Sequence, residues 1–130
     1  MENPKELKYT KEHEWVKVEE DNVVIGVTDF AQHLLTDIVF VELPEMGKEI
    51  EQGKPFMVIE SVKSVSDVYA SVSGKISKVN EDLQDNSGLV NDDPFGRGWL
   101  VKVKIKDAKE IDKLMSAEEY EKFCKEEENK

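Results

Sequence analysis

Lys63 lies with Ser61 and Ser64 in a short polar stretch between two apolar-rich runs, Pro55 to Glu60 and Val65 to Tyr69. Val, Ile, Phe and Tyr dominate both runs, which is the composition of β-strands. So short a connection predicts a hairpin, with Lys63 at its tip and its ammonium in water on a flexible stem. Taken alone, such a lysine is a solvated charge. Glu60 precedes it by three residues, and Gly74 closes the stretch, where a glycine permits a tight backbone path. Other reactive groups are sparse. Cys124 is the only cysteine, so no intramolecular disulfide and no cysteine metal cluster can form. It falls on an apolar helix face and reads as core. The two histidines, His13 and His33, and the scattered acids show no recognisable ligand spacing. There is no nucleophile–base pair, phosphate loop or metal set, so the chain is not expected to catalyse a reaction by itself.

Several elements must hold this stretch. His13 to Val18 alternates as a strand, with Trp15 as a core anchor. Glu20-Asp21-Asn22 is a turn, and Val23 to Val27 returns as the second strand of a hairpin. Thr28 can cap a helix over Asp29 to Leu35, where the pairs Phe30/Leu34 and Ala31/Leu35 give one buried face. Ile38 to Leu43 is the most apolar run and reads as a buried strand ending before Pro44. A short strand surrounds Ile50. After the central hairpin, Gly74 starts a strand over Lys75 to Val79. Asn80 can cap a short helix, Glu81 to Asp85. Ser87 to Gly98 is an irregular loop or helical turn. Over Trp99 to Ile105, Trp99, Val101, Val103 and Ile105 face in while Lys102 and Lys104 face out. Asp107 with Glu110, and Ser116 with Glu119, read as capping boxes opening two helices, about Ala108 to Met115 and Ala117 to Glu127. Asn129 and Lys130 are expected to fray. The expected architecture is one mainly β domain over residues 1–130, a small sandwich or flattened barrel with short outer helices. Its core spans about 7–106 and its C-terminal helical segment about 107–127.

The net charge of −11 opposes binding to phosphate backbones and anionic lipids, which argues against nucleic acid; partners with basic docking surfaces and plain solubility account for that acidity equally well. No apolar run approaches the length of a membrane span. Met1 to Glu6 lacks the apolar core of a secretory signal and the Arg-rich pattern of a transit peptide, so a cytoplasmic location is expected.

Glu60-Ser61-Val62-Lys63-Ser64, then Ser66-Asp67-Val68-Tyr69 and Ser73-Gly74, resembles the modification site of the glycine cleavage system H protein family. The likeness extends from about Leu7 to Glu127. Leu7-Lys8-Tyr9 with His13-Glu14-Trp15-Val16 is similar to the family's opening, and Ile25 to Asp29 with Ala31-Gln32 to its first helix. Asp37 to Pro44, then Asn91 to Pro94 with Gly98-Trp99-Leu100, then Ser116 to Tyr120, resemble its later strands, loop and final helix. Asp85-Asn86-Ser87-Gly88 departs from the commoner wording. Each motif is weak alone; their order and spacing are specific.

The resemblance implies the lipoyl-domain fold and a lipoyl carrier with no catalysis of its own. It implies lipoic acid joined to Lys63 by an amide, with Glu60 and Gly74 at positions used by the lipoyl-attaching enzyme. It further implies a surface cleft where the loaded arm lies down, for which Glu14, Asp67 and His33 are candidates. The implied partners are glycine decarboxylase (P protein), the tetrahydrofolate-dependent aminomethyltransferase (T protein) and dihydrolipoyl dehydrogenase (L protein). The carrier takes the aminomethyl group from the first to the second and its dithiol to the third. A biotinyl domain would place methionines beside the lysine, where Val62 and Ser64 stand. A lipoyl domain of a 2-oxoacid dehydrogenase would be shorter and lack the two C-terminal helices. A lipoyl donor or carrier in another pathway, and an unmodified interaction module, complete the alternatives.

Overall fold

A computed structural model describes residues 3–128. In chain order the elements are β1 (Lys8–Tyr9), β2 (Glu14–Glu19), β3 (Asn22–Val27), α1 (Asp29–Leu35), β4 (Ile38–Glu42), β5 (Glu49–Ile50), β6 (Pro55–Ser61), β7 (Val65–Tyr69), β8 (Gly74–Val79), α2 (Asp82–Asp85), α3 (Leu89–Asp92), β9 (Val101–Ile105), a 3-10 helix (Ala108–Lys113) and α4 (Ala117–Glu128). Antiparallel pairing builds two open sheets, ordered β1-β2-β3-β9-β8-β5 and β4-β6-β7. Of the two forms expected, the sandwich is the one adopted. Asn129 and Lys130 lie outside the described residues.

Strand alternation sets what each sheet buries. Val16, Val23, Ile25, Val101 and Val103 of the larger sheet join Val41, Ile59 and Val68 of the smaller in one buried core. A second cluster holds Tyr9, Trp15, Val24 and Phe30 with Ala117, Tyr120 and Cys124 of α4. The Tyr9 and Tyr120 rings stack there at 4.8 Å. Trp15 is the expected anchor, its indole N–H donating to the Pro94 carbonyl at 2.9 Å, and Cys124 is buried as expected.

Local signals succeed where nothing else competes for the side chain. Thr28 caps α1 by accepting from the Ala31 N–H at 3.1 Å. Ser116 and Glu119 form the reciprocal box before α4, at 3.0 and 3.2 Å. Elsewhere tertiary contacts win. The Asn80 amide does not cap α2 but donates to the Arg97 and Trp99 carbonyls at 2.8 Å each, fastening the loop before β9. Asp107 accepts from the Lys109 N–H, but Glu110 does not reach back, because its two oxygens take the Ser73 N–H and hydroxyl at 2.7 and 2.8 Å. The segment that follows is a 3-10 helix rather than an α-helix. Leu34 is exposed while Phe30 and Ala31 are buried, so the inner face of α1 is narrower than expected. Trp99 and Ile105 are only partly buried.

Strand β4 departs most from expectation. Ile38 and Val41 are buried, but Val39 and Phe40 are 57% and 50% exposed. The register against β6 slips between Ile38 and Phe40. That bulge inserts one residue, so Phe40 leaves the inward face that regular alternation from Ile38 would give it. The apolar run is therefore half a core strand and half a surface.

Candidate functional site

Strands β6 and β7 form the expected hairpin, with Lys63 exposed at its tip. The Ser61 N–H donates to the Ser64 carbonyl at 2.8 Å, leaving Val62 and Lys63 as the two tip residues. Loops this short favour mirror-image turns with positive φ, yet neither tip residue adopts one. A buried side chain holds the turn instead. Ser61 Oγ accepts from the Lys63 N–H at 3.1 Å and the Ser64 N–H at 3.0 Å. The Val62 N–H donates to the Asp37 carbonyl at 2.9 Å, tying the tip to the chain just before β4. The lysine stem thus rises from a fixed root.

Glu60 is half-buried on β6, directly opposite Phe40 on one side and Val65 on the other. Gly74 begins β8 in the other sheet, paired with Ile50 and Ile105. A Cβ there would sit 2.1 Å from the Lys104 carbonyl oxygen and 2.8 Å from Val103 Cγ1, so close strand approach demands glycine. Gly74 lies at the base end of the hairpin, and β6 separates that end from the tip by about 20 Å at strand rise. An open groove of about 950 Å³ lies there, lined by Lys54, Pro55, Gly74 and Glu110 but not by Lys63.

The cleft beside Lys63 is smaller, about 340 Å³. Ala31, Leu34 and Leu35 of α1 form one wall, the start of β2 another, and Ser66, Asp67 and Val68 of β7 a third. β7 is an edge strand, so part of its backbone is free of sheet partners. Glu14 meets that edge. Alternation puts its side chain on the inner face with Val16, where it is 2% exposed. Its Oε2 accepts from the Tyr69 N–H at 2.9 Å and its Oε1 from the Thr10 hydroxyl at 2.7 Å. Burial pushes its carboxyl up to about 7, with Glu12 adding to the rise, against the lowering effect of those two hydrogen bonds. The group therefore changes charge near neutrality inside the cleft.

His13, next in the wall, adopts φ 67°, a left-handed step uncommon outside glycine. Its Nδ1 lies 2.7 Å from the Tyr120 hydroxyl, which lies 2.7 Å from Thr28 Oγ1. This network joins the cleft wall to the cap of α1 and to α4. Burial lowers the His13 pKa, opposed by the charges of Glu127 and Glu12.

A family model described as "Glycine cleavage H-protein" matches residues 7–127. The chain belongs to the glycine cleavage H-protein family. It is 55% identical over 124 residues to the glycine cleavage system H protein of Carboxydothermus hydrogenoformans, covering 95% of each chain. It is 56% identical over 124 residues to that of Halalkalibacterium halodurans, covering 95% of this chain and 97% of the relative. The crystal structure of a glycine cleavage system H protein from Mycobacterium marinum matches with a TM-score of 0.85 at 35% identity, covering 91% of this chain and 95% of that one.

Within this family fold, the candidate residues separate by place. Lys63, Glu14 and Asp67 line one cleft. His33 does not join them; it stands exposed on α1, which presents Leu34 and Leu35 to the cleft instead. Glu14, readable as an ordinary surface acid, is almost fully buried. Sequence reasoning missed Ser61, Thr10 and His13. A serine two residues before a turn lysine is a local turn signal and was available. The Glu14–Tyr69 contact spans 55 residues and had no local signal.

Proposed function

We propose that Lys63 bears a lipoyl group in amide linkage and that the chain is the lipoyl carrier of the glycine cleavage system. Membership of the H-protein family makes the chain a component of that system. The observation that carries the site assignment is a rooted, exposed lysine beside a cleft with apolar walls and one buried carboxyl. Such surroundings fit a long, mostly apolar arm with a reactive end.

The roles of the residues follow. Lys63 offers an amine, and acylation replaces its charge with a neutral amide. Ser61 and the Asp37 carbonyl fix where the arm begins. When attached, the dithiolane supplies thiol–disulfide and group-carrying chemistry that the side chains lack. Ala31, Leu34, Leu35 and Val68 give the cleft an apolar lining that limits water, while Glu14 can meet a cationic end as a carboxylate and Asp67 adds charge at the exposed edge. Glu60, three residues before the lysine, is the recognition handle for the lipoyl-attaching enzyme. Gly74 keeps the base of the hairpin in shape for it.

In this reading the chain catalyses nothing alone. Its partners are glycine decarboxylase, the aminomethyltransferase and dihydrolipoyl dehydrogenase, and its location is the cytoplasm. Among the described residues, no helix is long and apolar enough to cross a membrane. The test is intact mass, with and without a lipoyl-attaching enzyme and lipoate, on the parent and Lys63→Ala. One lipoyl increment on the parent and none on the variant is expected. A biotinyl increment would move the chain to the carboxylase carriers, and no increment would remove the carrier assignment at Lys63.

A further inference from the structure

Among the described residues seven large hydrophobic side chains are strongly exposed, and four of them, Leu34, Phe40, Val62 and Val65, border the Lys63 hairpin or its cleft. Scattered apolar residues need no explanation, but a contiguous patch does. Here register creates the patch. Phe40, Glu60 and Val65 lie directly opposite one another across β4, β6 and β7, so they share one face of the small sheet. Val65 is two residues from Lys63, and Val62 is its immediate neighbour. Val62 and Val65 are 68% and 67% exposed. The β4 bulge carries Phe40 outward, and bulges that re-aim a side chain occur beside functional sites. A half-exposed phenylalanine held out by a backbone irregularity gains nothing for the core.

We propose that Phe40, Val62 and Val65 form an apolar docking face, centred on Glu60, for the enzyme that acylates Lys63. The inference rests on the carrier reading of Lys63 and adds the surface by which the unmodified chain is recognised. Reach selects this partner over the enzymes that use the loaded arm. An extended lysine carries its nitrogen only about 6 Å from its Cα, at ordinary bond lengths. The acylating enzyme must therefore close upon the tip itself. The deprotonated Lys63 amine attacks the carbonyl carbon of an activated lipoyl acyl donor, the C–N amide bond forms, and the bond to the leaving group breaks as the amine proton is lost. Enzymes that use the loaded arm meet its far end, so nothing in their chemistry requires them to close on these side chains. The face calls for an apolar rim around the partner's active-site mouth, with a hydrogen-bond donor or cation opposite Glu60.

The test is a lipoylation time course read by intact mass over a range of carrier concentrations, with the parent, Phe40→Ser, Val65→Thr and their double variant. For the double variant, KM should rise at least tenfold while kcat stays within twofold, the pattern of lost binding without lost chemistry. Met46→Ser removes an exposed apolar side chain outside the patch and should leave both constants unchanged. Thermal melts check folding. If Phe40→Ser fails to fold, Val62→Ser at the solvent-exposed tip carries the test, with a KM increase of at least threefold expected. A folded double variant with KM within twofold of the parent would overturn the docking face while leaving lipoylation at Lys63 intact. A parent that accepts no lipoyl group would overturn both.

Discussion

Glu14→Gln should change how stability depends on pH, and in a calculable direction. The native carboxyl titrates near 7 where its ordinary value is 4.5. Between those values the native chain holds a proton that the unfolded chain has released. Proton linkage then makes stability fall as pH rises through this window and level off above the native pKa. A difference of about 2.5 units corresponds to about 3 kcal/mol, most of it lost between about pH 5 and pH 8. His13 acts oppositely. Its lowered pKa means the unfolded chain binds the extra proton, so its contribution rises with pH through the unfolded histidine value. The two slopes partly cancel in the parent. Glutamine keeps an oxygen for the Tyr69 N–H and turns its amide toward the Thr10 hydroxyl, so the variant removes the charge and little else. Urea unfolding of parent and variant at pH 5, 6, 7 and 8 gives the difference free of His13. The variant should gain about 2–3 kcal/mol relative to the parent across that range. A difference constant to within about 0.5 kcal/mol would refute the claim that a buried, proton-holding carboxyl lies in the cleft.

Other changes read different parts of the site. Gly74→Ala forces a Cβ against the Lys104 carbonyl, and should cost about 3 kcal/mol and lower Tm by about 10 °C in a thermal melt. Ser61→Ala removes the acceptor for two tip amides; it should cost about 1–2 kcal/mol and speed hydrogen exchange at Lys63 and Ser64, with the core amides unchanged. Tyr120→Phe leaves His13 Nδ1 and the Thr28 hydroxyl without their shared partner. It should cost about 1–3 kcal/mol in urea unfolding and shift the His13 titration followed by NMR.

The hairpin, Lys63 at its tip, the Thr28 cap and the Ser116–Glu119 box were legible because each is a local matter, settled within a few residues. The same kind of rule failed at Asn80 and Glu110, where distant backbone or hydroxyl groups offered partners that a sequence window cannot contain. It failed in β4 because alternation cannot announce a bulge. The run from Ile38 to Leu43 is apolar whether Phe40 faces in or out, and only the register with β6 decides. Within the site, Lys63, Glu14 and Asp67 were placed by likeness to the family, and the fold brings them to one cleft. What makes Glu14 unusual, its burial against the edge of β7, arises from a contact between the first strands and the hairpin and has no signature in the residues around it.

The bond from the Val62 N–H to the Asp37 carbonyl has a kinetic consequence. It makes the tip a pivot rather than a floppy loop, so the free end of anything attached to Lys63 searches a small volume around one point. A short tether on such a pivot holds its end at an effective concentration on the order of millimolar around the neighbouring cleft. Rebinding after each escape is then a first-order event, independent of how dilute the protein is. Loosening the pivot enlarges the searched volume and weakens cleft occupancy without touching a single residue of the cleft.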